Sequence, residues 1–246
     1  LNCMKQQKQE NANALGITFV GFEEVAGQEV AELLGKKTVE GKGVITFSAA
    51  ENELAELCYK TQALRRVLRL WGKSTIEKES TLEDCKKQWN EIIKKKDLSL
   101  FSGKTFCVVC ERQGEHGFTS RDAAAMLGEC ILEHQPKAKV QLDDPDIIVF
   151  CFIRHQECFI GIDFAGFDLS KREYKIYNQT NTLNAAFAYC AVRFAGYRGK
   201  EVLLDPLCGV GILPLEAALF TAHLSPRFHQ KERFCFNRFL KKPIDL

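Results

Sequence analysis

The stretch that most limits the fold is LLDPLCGVGILPLEAALF, residues 203–220, where an apolar run, a glycine turn and an apolar helix follow one another. We predict a strand over KEVLLD that ends at Asp205 and a helix over LPLEAALFTAHL. Gly209 and Gly211 let the backbone turn sharply and let a ligand approach without meeting a Cβ atom. This order of elements is typical of the entry to a doubly wound α/β domain, which binds ligands at the carboxyl ends of its strands.

The glycine turn disfavours phosphate cofactors. Pro214 stands where the dinucleotide fingerprint has its third glycine, and the Lys-Ser/Thr pair of a P-loop is missing. The free N–H groups at the helix start, near Ile212, favour an anionic group such as a carboxylate. On these residues alone, an ordinary strand–helix turn without a ligand stays open.

The first segment of the chain, residues 15–75, alternates strand and helix patterns. We predict a strand from Ile17 to Gly21, a helix over VAGQEVAELLG, a hairpin over KTVEGKGVITFS and a helix over AENELAELCYK. ALRRVLRLWG then carries an apolar stripe, made of Leu64, Val67, Leu68 and Trp71. This order suits a small α+β sandwich of the ferredoxin-like kind.

The second segment, residues 76–178, also combines strand and helix patterns. STLEDCKKQWNEII is a predicted helix, and KTFCVVC a predicted strand that leads through a loop into a second helix. Thr119 or Ser120 is the expected N-cap of that helix, with Asp122 in its first turn favouring the helix dipole. PDIIVFCFIRHQECFIGIDFAG predicts two strands around a turn at residues 154–157, and their unbroken apolar runs indicate burial on both faces.

The 11 cysteines are expected to be reduced. The N-terminal residues have no apolar signal-peptide core, and no window holds the ~18 apolar residues of a membrane helix, so we expect a cytoplasmic protein. Most of the cysteines lie in apolar runs, where thiols act as small hydrophobes. Cys107 and Cys110 form a C-x-x-C, but a strand would put them on opposite faces and no second pair follows, so zinc is disfavoured.

The net charge of +2 excludes a broadly basic protein. A nucleic-acid surface would therefore depend on local clusters of cations, each of which is more often a solvated face.

DPLCGVGILPLEAAL closely resembles the S-adenosylmethionine (SAM) motif of the THUMP-domain RNA methyltransferases, the family that methylates the exocyclic amine of guanosine. Eight residues match the family form: Asp205, Pro206, Cys208, Gly209, Gly211, Glu216, Ala217 and Ala218. Val210 and Ile212 replace the usual hydroxyl residues, which removes a helix cap worth about 1 kcal/mol.

The resemblance extends upstream through several motifs in the family order. Residues 15–75 are similar to the N-terminal ferredoxin-like domain, and residues 76–178 to the THUMP RNA-binding domain, with Leu-Ser-Lys-Arg-x-Tyr at 169–174. NTLNAAFAYCAVRFAG resembles the helix that closes over the methionine end of the cofactor. The resemblance thus implies an α+β ferredoxin-like domain and a THUMP domain, followed by the start of an α/β Rossmann-like methyltransferase domain over residues 181–246.

The resemblance also implies two sets of site residues and no metal. The expected SAM-binding residues are Thr182, Leu183, Asp205, Pro206, Cys208, Gly209, Gly211 and Glu216. The expected RNA-binding residues, which supply cations and an aromatic face, are Arg112, His116, Phe118, Thr119, Ser120, Arg121, Lys171 and Arg172. A salt-bridged loop without RNA is the alternative for residues 112–121.

In the family, a further strand carries an acidic residue for the cofactor ribose, and an Asn/Asp-Pro-Pro-Tyr loop holds the flipped guanine. Neither is found downstream of the glycine turn. We therefore expect no catalytic residue in this chain and predict that the chain alone is inactive, as a fragment or as a member without its catalytic half.

The function that follows is the RNA-binding THUMP portion of a SAM-dependent enzyme that methylates guanosine N2 in tRNA. The alternatives are a ribosomal RNA substrate, a stand-alone RNA-binding module, or a non-catalytic subunit whose partner chain supplies the missing methyltransferase half. A uridine-thiolating THUMP protein would need a Ser-Gly-Gly-x-Asp-Ser loop, which the sequence lacks. No membrane partner is expected.

Overall fold

The computed structural model describes residues 13–174, 182–240 and 244, which divide into two compact units. The first unit contains residues 13–67, 167–174, 182–234 and 244, and the second contains residues 68–166 and 235–240. The three-domain division of the sequence stays a prediction.

The elements of the described ranges alternate along most of the chain. The strands are β1 (Ala14–Ile17), β2 (Val39–Gly41), β3 (Val44–Phe47), β4 (Arg66–Thr75), β5 (Thr105–Gln113), β6 (Lys139–Val140), β7 (Ile147–Arg154) and β8 (Glu157–Asp163). The α-helices are α1 (Glu23–Leu34), α2 (Glu51–Lys60), α3 (Leu82–Ile93), α4 (Ser120–His134), α5 (Ala185–Phe194), α6 (Ile212–Thr221) and α7 (Phe236–Phe239).

In the first unit, β3 pairs in antiparallel fashion with both β1 and β2, and the predicted hairpin is confirmed. The predicted first strand, Ile17 to Gly21, was placed too late. The chain leaves the strand after Ile17 and turns at Gly21, whose φ of +91° is a left-handed conformation that ends a strand. The observed strand β1 begins at Ala14, three residues before the predicted start.

The two predicted helices of the first segment are confirmed as α1 and α2. α1 buries Val25, Ala26 and Val30 on one face, as its apolar spacing predicts. It ends at Gly35, which takes a φ of +66° and donates its backbone N–H to the carbonyl of Ala31.

The predicted strand over residues 200–205 is wrong. Within residues 182–240, the described segment around the glycine turn, the chain forms helices and irregular backbone but no strand. Val202 and Leu204 are 98% and 84% exposed. A strand needs a neighbour for its N–H and C=O groups, and these residues have none, so the predicted start of a Rossmann-like sheet is not seen.

In the second unit the strands follow the order β4-β8-β7-β5-β6. β8 pairs in antiparallel fashion with β4 and β7, whereas β5 pairs in parallel with β7 and β6. The apolar stripe of ALRRVLRLWG lies mostly in β4. A bulge between Leu70 and Gly72 shifts the strand register, which brings Leu68 and Trp71 to buried positions.

The unbroken apolar runs of the second segment form β7 and β8, as predicted. β7 is buried at every position except the half-buried Ile148, and β8 at every position after Glu157. The turn between them pairs Arg154 with Glu157. The ends of β5 and β7 lie side by side, because Gln113 pairs with Arg154.

The predicted helices α3 and α4 are also confirmed, and each begins with a capping box. Thr81 accepts the backbone N–H of Asp84 at α3, and Thr119 accepts that of Asp122 at α4. Among the described helices, none is both long and apolar enough to cross a bilayer.

Candidate functional site

The glycine turn enters α6 through two left-handed residues. Gly209 has a φ of +54° and Gly211 a φ of +77°, conformations that strain any residue with a Cβ. The Gly211 N–H donates to the carbonyl of Cys208 at 2.8 Å, which closes the turn. A Cβ built on either glycine would meet nothing within 4 Å, so the space above the turn is open.

The start of α6 has no side chain that caps it. Gly211 is the N-cap residue, and Pro214 has no N–H, so the backbone donors of the first turn are those of Ile212 and Leu213. Asp205 is half-buried, and its Oδ1 accepts the Leu207 N–H at 3.2 Å, which holds its carboxylate beside the turn. Pro206 and Cys208 are exposed.

The second predicted cofactor segment, Thr182 and Leu183, precedes α5 in the same unit. Asn184 caps α5, because its Oδ1 accepts the N–H groups of Ala186 and Phe187 at 3.0 and 3.3 Å. Behind the cap, Ala185 and Ala188 pack against Ile212 at the start of α6. The structure therefore brings Thr182–Leu183 and the glycine turn to neighbouring helix starts.

Glu216, the remaining predicted cofactor residue, points away from this open space. Its side chain is fully buried and forms a bidentate ion pair with Arg172, with N···O distances of 2.9 and 3.2 Å. Gln62 donates to the Glu216 carboxylate at 2.7 Å, and the hydroxyl of Tyr174 donates to it as well. Arg172, which was expected to contact RNA, is thus buried within the first unit and paired with Glu216.

Electrostatics favours the charged form of the Arg172 guanidinium. Burial opposes the charge of Arg172, but Glu216 outweighs burial, so the pKa of the guanidinium is raised. Burial and then the charge of Glu216 raise the pKa of the Tyr174 hydroxyl, which keeps it a donor. A second buried guanidinium, Arg227, donates to the carbonyls of Thr61 and Leu169, both at 2.6 Å. Burial and the nearby Arg172 lower its pKa to about 9.

The predicted RNA loop connects the end of β5 to α4 in the second unit. Arg112 Nη1 lies 3.1 Å from His116 Nδ1 and donates to the Gly114 carbonyl at 3.0 Å. His116 Nε2 lies 2.7 Å from the carbonyl of His155. Because Nε2 donates to this carbonyl, Nδ1 accepts from Arg112, and the loop is fixed to the β7–β8 turn.

The loop borders a pocket of about 440 Å³. Its lining combines one lysine, one glutamate, two imidazoles, a glutamine, a glycine and an isoleucine: Ile76, Lys78, Gly114, Glu115, His116, His155 and Gln156. Lys78 and Glu115 form an exposed ion pair at 3.3 Å across the rim. Of the expected RNA contacts, His116 lines this pocket.

The expected RNA-binding residues differ in accessibility. Arg121 and Thr119 are exposed and Ser120 is half-buried, whereas Phe118 is buried beside His116, so its ring offers no free face for a base. The Asp122 carboxylate occupies the start of α4, accepting from the N–H and hydroxyl of Thr119 at 2.9 and 2.8 Å.

Lys171 is exposed and belongs to the first unit, whereas residues 112–121 belong to the second.

Gln62 and Tyr174 are polar site residues that the sequence-based prediction missed. Tyr174 lies inside the quoted Leu-Ser-Lys-Arg-x-Tyr motif, which was a usable signal, whereas nothing local marks Gln62.

The ten cysteines of the described ranges are free thiols, and no group of three or more candidate metal ligands occurs there. Cys107 is buried on β5, and Cys110 is half-buried on the same strand.

Comparisons with known proteins identify both parts of the chain. The THUMP domain model matches residues 79–163, and the model described as an RMKL-like methyltransferase domain matches residues 172–244. The tRNA (guanine(6)-N2)-methyltransferase of Archaeoglobus fulgidus is 34% identical over 213 residues, which are 83% of this chain and 52% of that protein. The chain therefore spans about half the length of this relative.

Two other matches are more distant. The ribosomal RNA large subunit methyltransferase K/L of Vibrio campbellii is 23% identical over 223 residues, which cover 89% of this chain and 31% of that protein. The crystal structure of SMU.472 complexed with SAH superposes with a TM-score of 0.73 at 18% identity, covering 94% of this chain and 61% of that one, which shows a shared fold.

The fold and the matched family models together define a mixed α/β protein with a THUMP domain and a methyltransferase domain. The chain thus contains a THUMP domain and an RMKL-like methyltransferase domain, and the resemblance to THUMP-domain methyltransferases that the sequence indicated is confirmed.

Proposed function

We propose that this chain supplies the tRNA-binding surface and the cofactor turn of a SAM-dependent methyltransferase acting on guanosine N2. The observation that carries the proposal is the open, left-handed turn at Gly209 and Gly211 in a chain that also contains a THUMP domain. The substrate follows from the A. fulgidus relative, whose name states guanine-N2 methylation of tRNA.

The residues around the turn fit SAM. The open space above Gly209 and Gly211 admits a ligand against the backbone, and the donors of Ile212 and Leu213 suit its carboxylate. Asp205 offers an acceptor to a donor group of the ligand. Bound SAM would supply the activated methyl group, while this chain binds and orients the cofactor. Glu216 is left out of the contact set, because its carboxylate is enclosed.

The RNA surface in this proposal is centred on Arg112 and Arg121. Arg121 is exposed, and Arg112 is held in a defined orientation by His116 and Gly114. Cations near single-stranded RNA bind phosphates, and each lost contact lowers the salt dependence of binding. Because Asp122 brings negative charge to the start of α4, the arginines rather than the helix N-terminus carry the phosphate contacts.

The decisive experiment is a titration of the chain with deacylated tRNA at several salt concentrations. In the Arg112→Ala/Arg121→Ala variant, affinity should fall and the salt slope should flatten by about 0.7–0.9 per lost contact. The matched control is Lys137→Ala/Lys139→Ala, which removes the same charge from exposed positions beyond the far end of α4. An equal loss in both variants would mean that net charge alone, and not this loop, attracts the RNA.

A ribosomal RNA substrate is the second candidate, favoured by the K/L relative of V. campbellii. Competition between tRNA and a ribosomal RNA hairpin in the same titration separates the two. The free thiols of the described ranges support a cytoplasmic location for either substrate.

A further inference from the structure

A short segment in the first unit contacts both predicted cofactor-binding elements. We call residues 168–174, DLSKREY, the tether. Alternate residues of the tether contact the two elements: Ser170 contacts the cap of α5, whereas Arg172 and Tyr174 contact Glu216 on α6. Neither contact lies in the open space above the glycine turn.

The contact to α5 is a chain of three hydrogen bonds. The Ser170 hydroxyl donates to Asp168 Oδ1 at 2.7 Å and accepts the Asn184 Nδ2 amide at 2.9 Å. Because Asn184 Nδ2 donates to Ser170, the Oδ1 of the same amide group faces the helix, where it accepts the first N–H groups of α5. Ser170 thereby fixes the residue that follows Thr182 and Leu183.

The contact to α6 is the buried carboxylate of Glu216. Arg172, Tyr174 and Gln62 together surround it with donors. Glu216 lies in the second turn of α6, five residues beyond Gly211, so its position determines where the glycine turn can lie.

Apolar packing and buried hydrogen bonds both hold the turn. No side chain caps α6, and Leu207 before the turn is 91% exposed. The apolar contact between the helix starts joins Ala185, Ala188 and Ile212, with Tyr174, Val210 and Leu213 packed against them. Apolar packing is non-directional, whereas buried hydrogen bonds fix one particular geometry.

We propose that Ser170, Arg172 and Tyr174 are positioning residues, which hold the starts of α5 and α6 in the arrangement that SAM requires without touching the cofactor. This inference rests on the proposed function of the glycine turn. Hence the Leu-Ser-Lys-Arg-x-Tyr motif serves cofactor binding through the protein interior, rather than RNA binding through its basic residues, and Lys171 is its only exposed cation.

The test uses Tyr174→Phe and Ser170→Ala in the 246-residue chain, each removing one hydroxyl. Hydrogen exchange of the backbone is measured at residues 183–188 and 207–215, together with SAM affinity and the thermal midpoint. We expect faster exchange at 207–215 in Tyr174→Phe and at 183–188 in Ser170→Ala. SAM should bind about tenfold more weakly to Tyr174→Phe, the low end for a lost hydrogen bond to a charged group.

Tyr197→Phe is the matched control. Its hydroxyl lies 3.2 Å from that of Thr221 at the other end of α6, so its loss tests the same chemistry on the same helix without the tether. Unchanged exchange at both helix starts in folded Tyr174→Phe and Ser170→Ala would overturn the inference, as would equal SAM affinity in wild type and variants.

The outcomes separate the two proposals. If the wild type does not bind SAM but the exchange changes appear, the cofactor function of this chain fails and the positioning of the turn stands. If the wild type binds SAM and Tyr197→Phe weakens binding as much as Tyr174→Phe, the function stands and the tether has no special role. Should Tyr174→Phe unfold, Ser170→Ala still tests the tether through hydrogen exchange at residues 183–188 and through SAM affinity.

Discussion

Both candidate sites lie at the start of a helix, but they are held there differently. At α4, Thr119 and Asp122 satisfy each other within a single turn. At α6 no local side chain caps the helix, and Glu216 instead contacts Arg172 and Gln62, which lie 44 and 154 positions earlier in the chain. The cap of α4 at the candidate RNA loop is thus built from neighbours in sequence, whereas the start of α6 at the candidate cofactor turn is held by distant residues.

The difference has a physical reason. A capping box leaves its groups exposed to water, so each of its hydrogen bonds contributes little and its loss is tolerated. The Arg172–Glu216 pair is buried, where the loss of one partner leaves a charge that water cannot reach. The cofactor turn should therefore depend on a few residues, and the RNA loop on many weak ones.

The largest predicted effect comes from Glu216→Ala. This change leaves the Arg172 guanidinium buried without a counter-charge, which should lower the free energy of unfolding by about 3–5 kcal/mol. Urea denaturation measures the loss. The double variant Arg172→Met/Glu216→Leu should recover most of it, because a buried pair replaced by apolar side chains costs little.

Glu32→Ala is the control for that change. Glu32 pairs with Arg193 at 2.6 Å, but its side chain is 51% exposed, so its removal should cost less than about 1 kcal/mol. Similar losses from Glu32→Ala and Glu216→Ala would contradict the distinction between buried and exposed contacts.

A smaller effect is expected from Gly211→Ala. Because residue 211 is left-handed, an added Cβ should lower the free energy of unfolding by about 1–2 kcal/mol. SAM binding should also weaken, because the turn shifts. Gly35→Ala, at the similar φ of +66°, should cost the same stability and leave SAM affinity unchanged. Calorimetry of both variants decides whether the turn is a cofactor site or a structural turn.

Thr119→Ala removes the cap of α4 and should lower the free energy of unfolding by about 1 kcal/mol. It should also weaken tRNA binding, because the loop before α4 is held less firmly. Thr81→Ala removes the equivalent cap of α3 and should cost as much without any change in tRNA affinity. Thermal denaturation and tRNA titration of the pair test the assignment. Equal tRNA affinities in both variants would exclude the start of α4 from the RNA surface.

The smallest effect concerns acid pH. Hydrogen bonds from the N–H and hydroxyl of Thr119 lower the pKa of Asp122 below its usual value of 3.8. A lowered carboxylate pKa contributes stability that is present above pH 4 and is lost as the pH falls below it. Asp122→Asn should therefore flatten the decline of the thermal midpoint between about pH 5 and pH 2. An unchanged slope would show that the cap adds no acid sensitivity.

The elements that sequence patterns predicted well are those with local causes. The helix α1 with Gly35 at its end, the Thr119 cap and the apolar pair β7–β8 follow from spacing, turn chemistry and continuous apolar runs. The strand expected at residues 200–205 fails for the opposite reason, since apolar residues form a strand only beside another strand, and spacing cannot supply one.

The candidate sites show the same distinction between features with local causes and features that depend on distant residues. The glycine turn could be placed from the sequence because its two glycines and following helix are contiguous. The burial of Glu216 and Arg172 could not, because each charge looked like a surface ligand until the fold brought them together. Gln62 lies outside every motif and becomes part of the site only through its contact with α6.

The most direct test of the central claim is calorimetric titration of the wild type, Arg121→Ala and Gly211→Ala with SAM and with deacylated tRNA. The proposal that separate sites on this chain bind the two ligands predicts that Arg121→Ala weakens only tRNA binding and Gly211→Ala only SAM binding. If wild type fails to bind tRNA, or if each folded variant weakens both ligands equally, the proposal is contradicted.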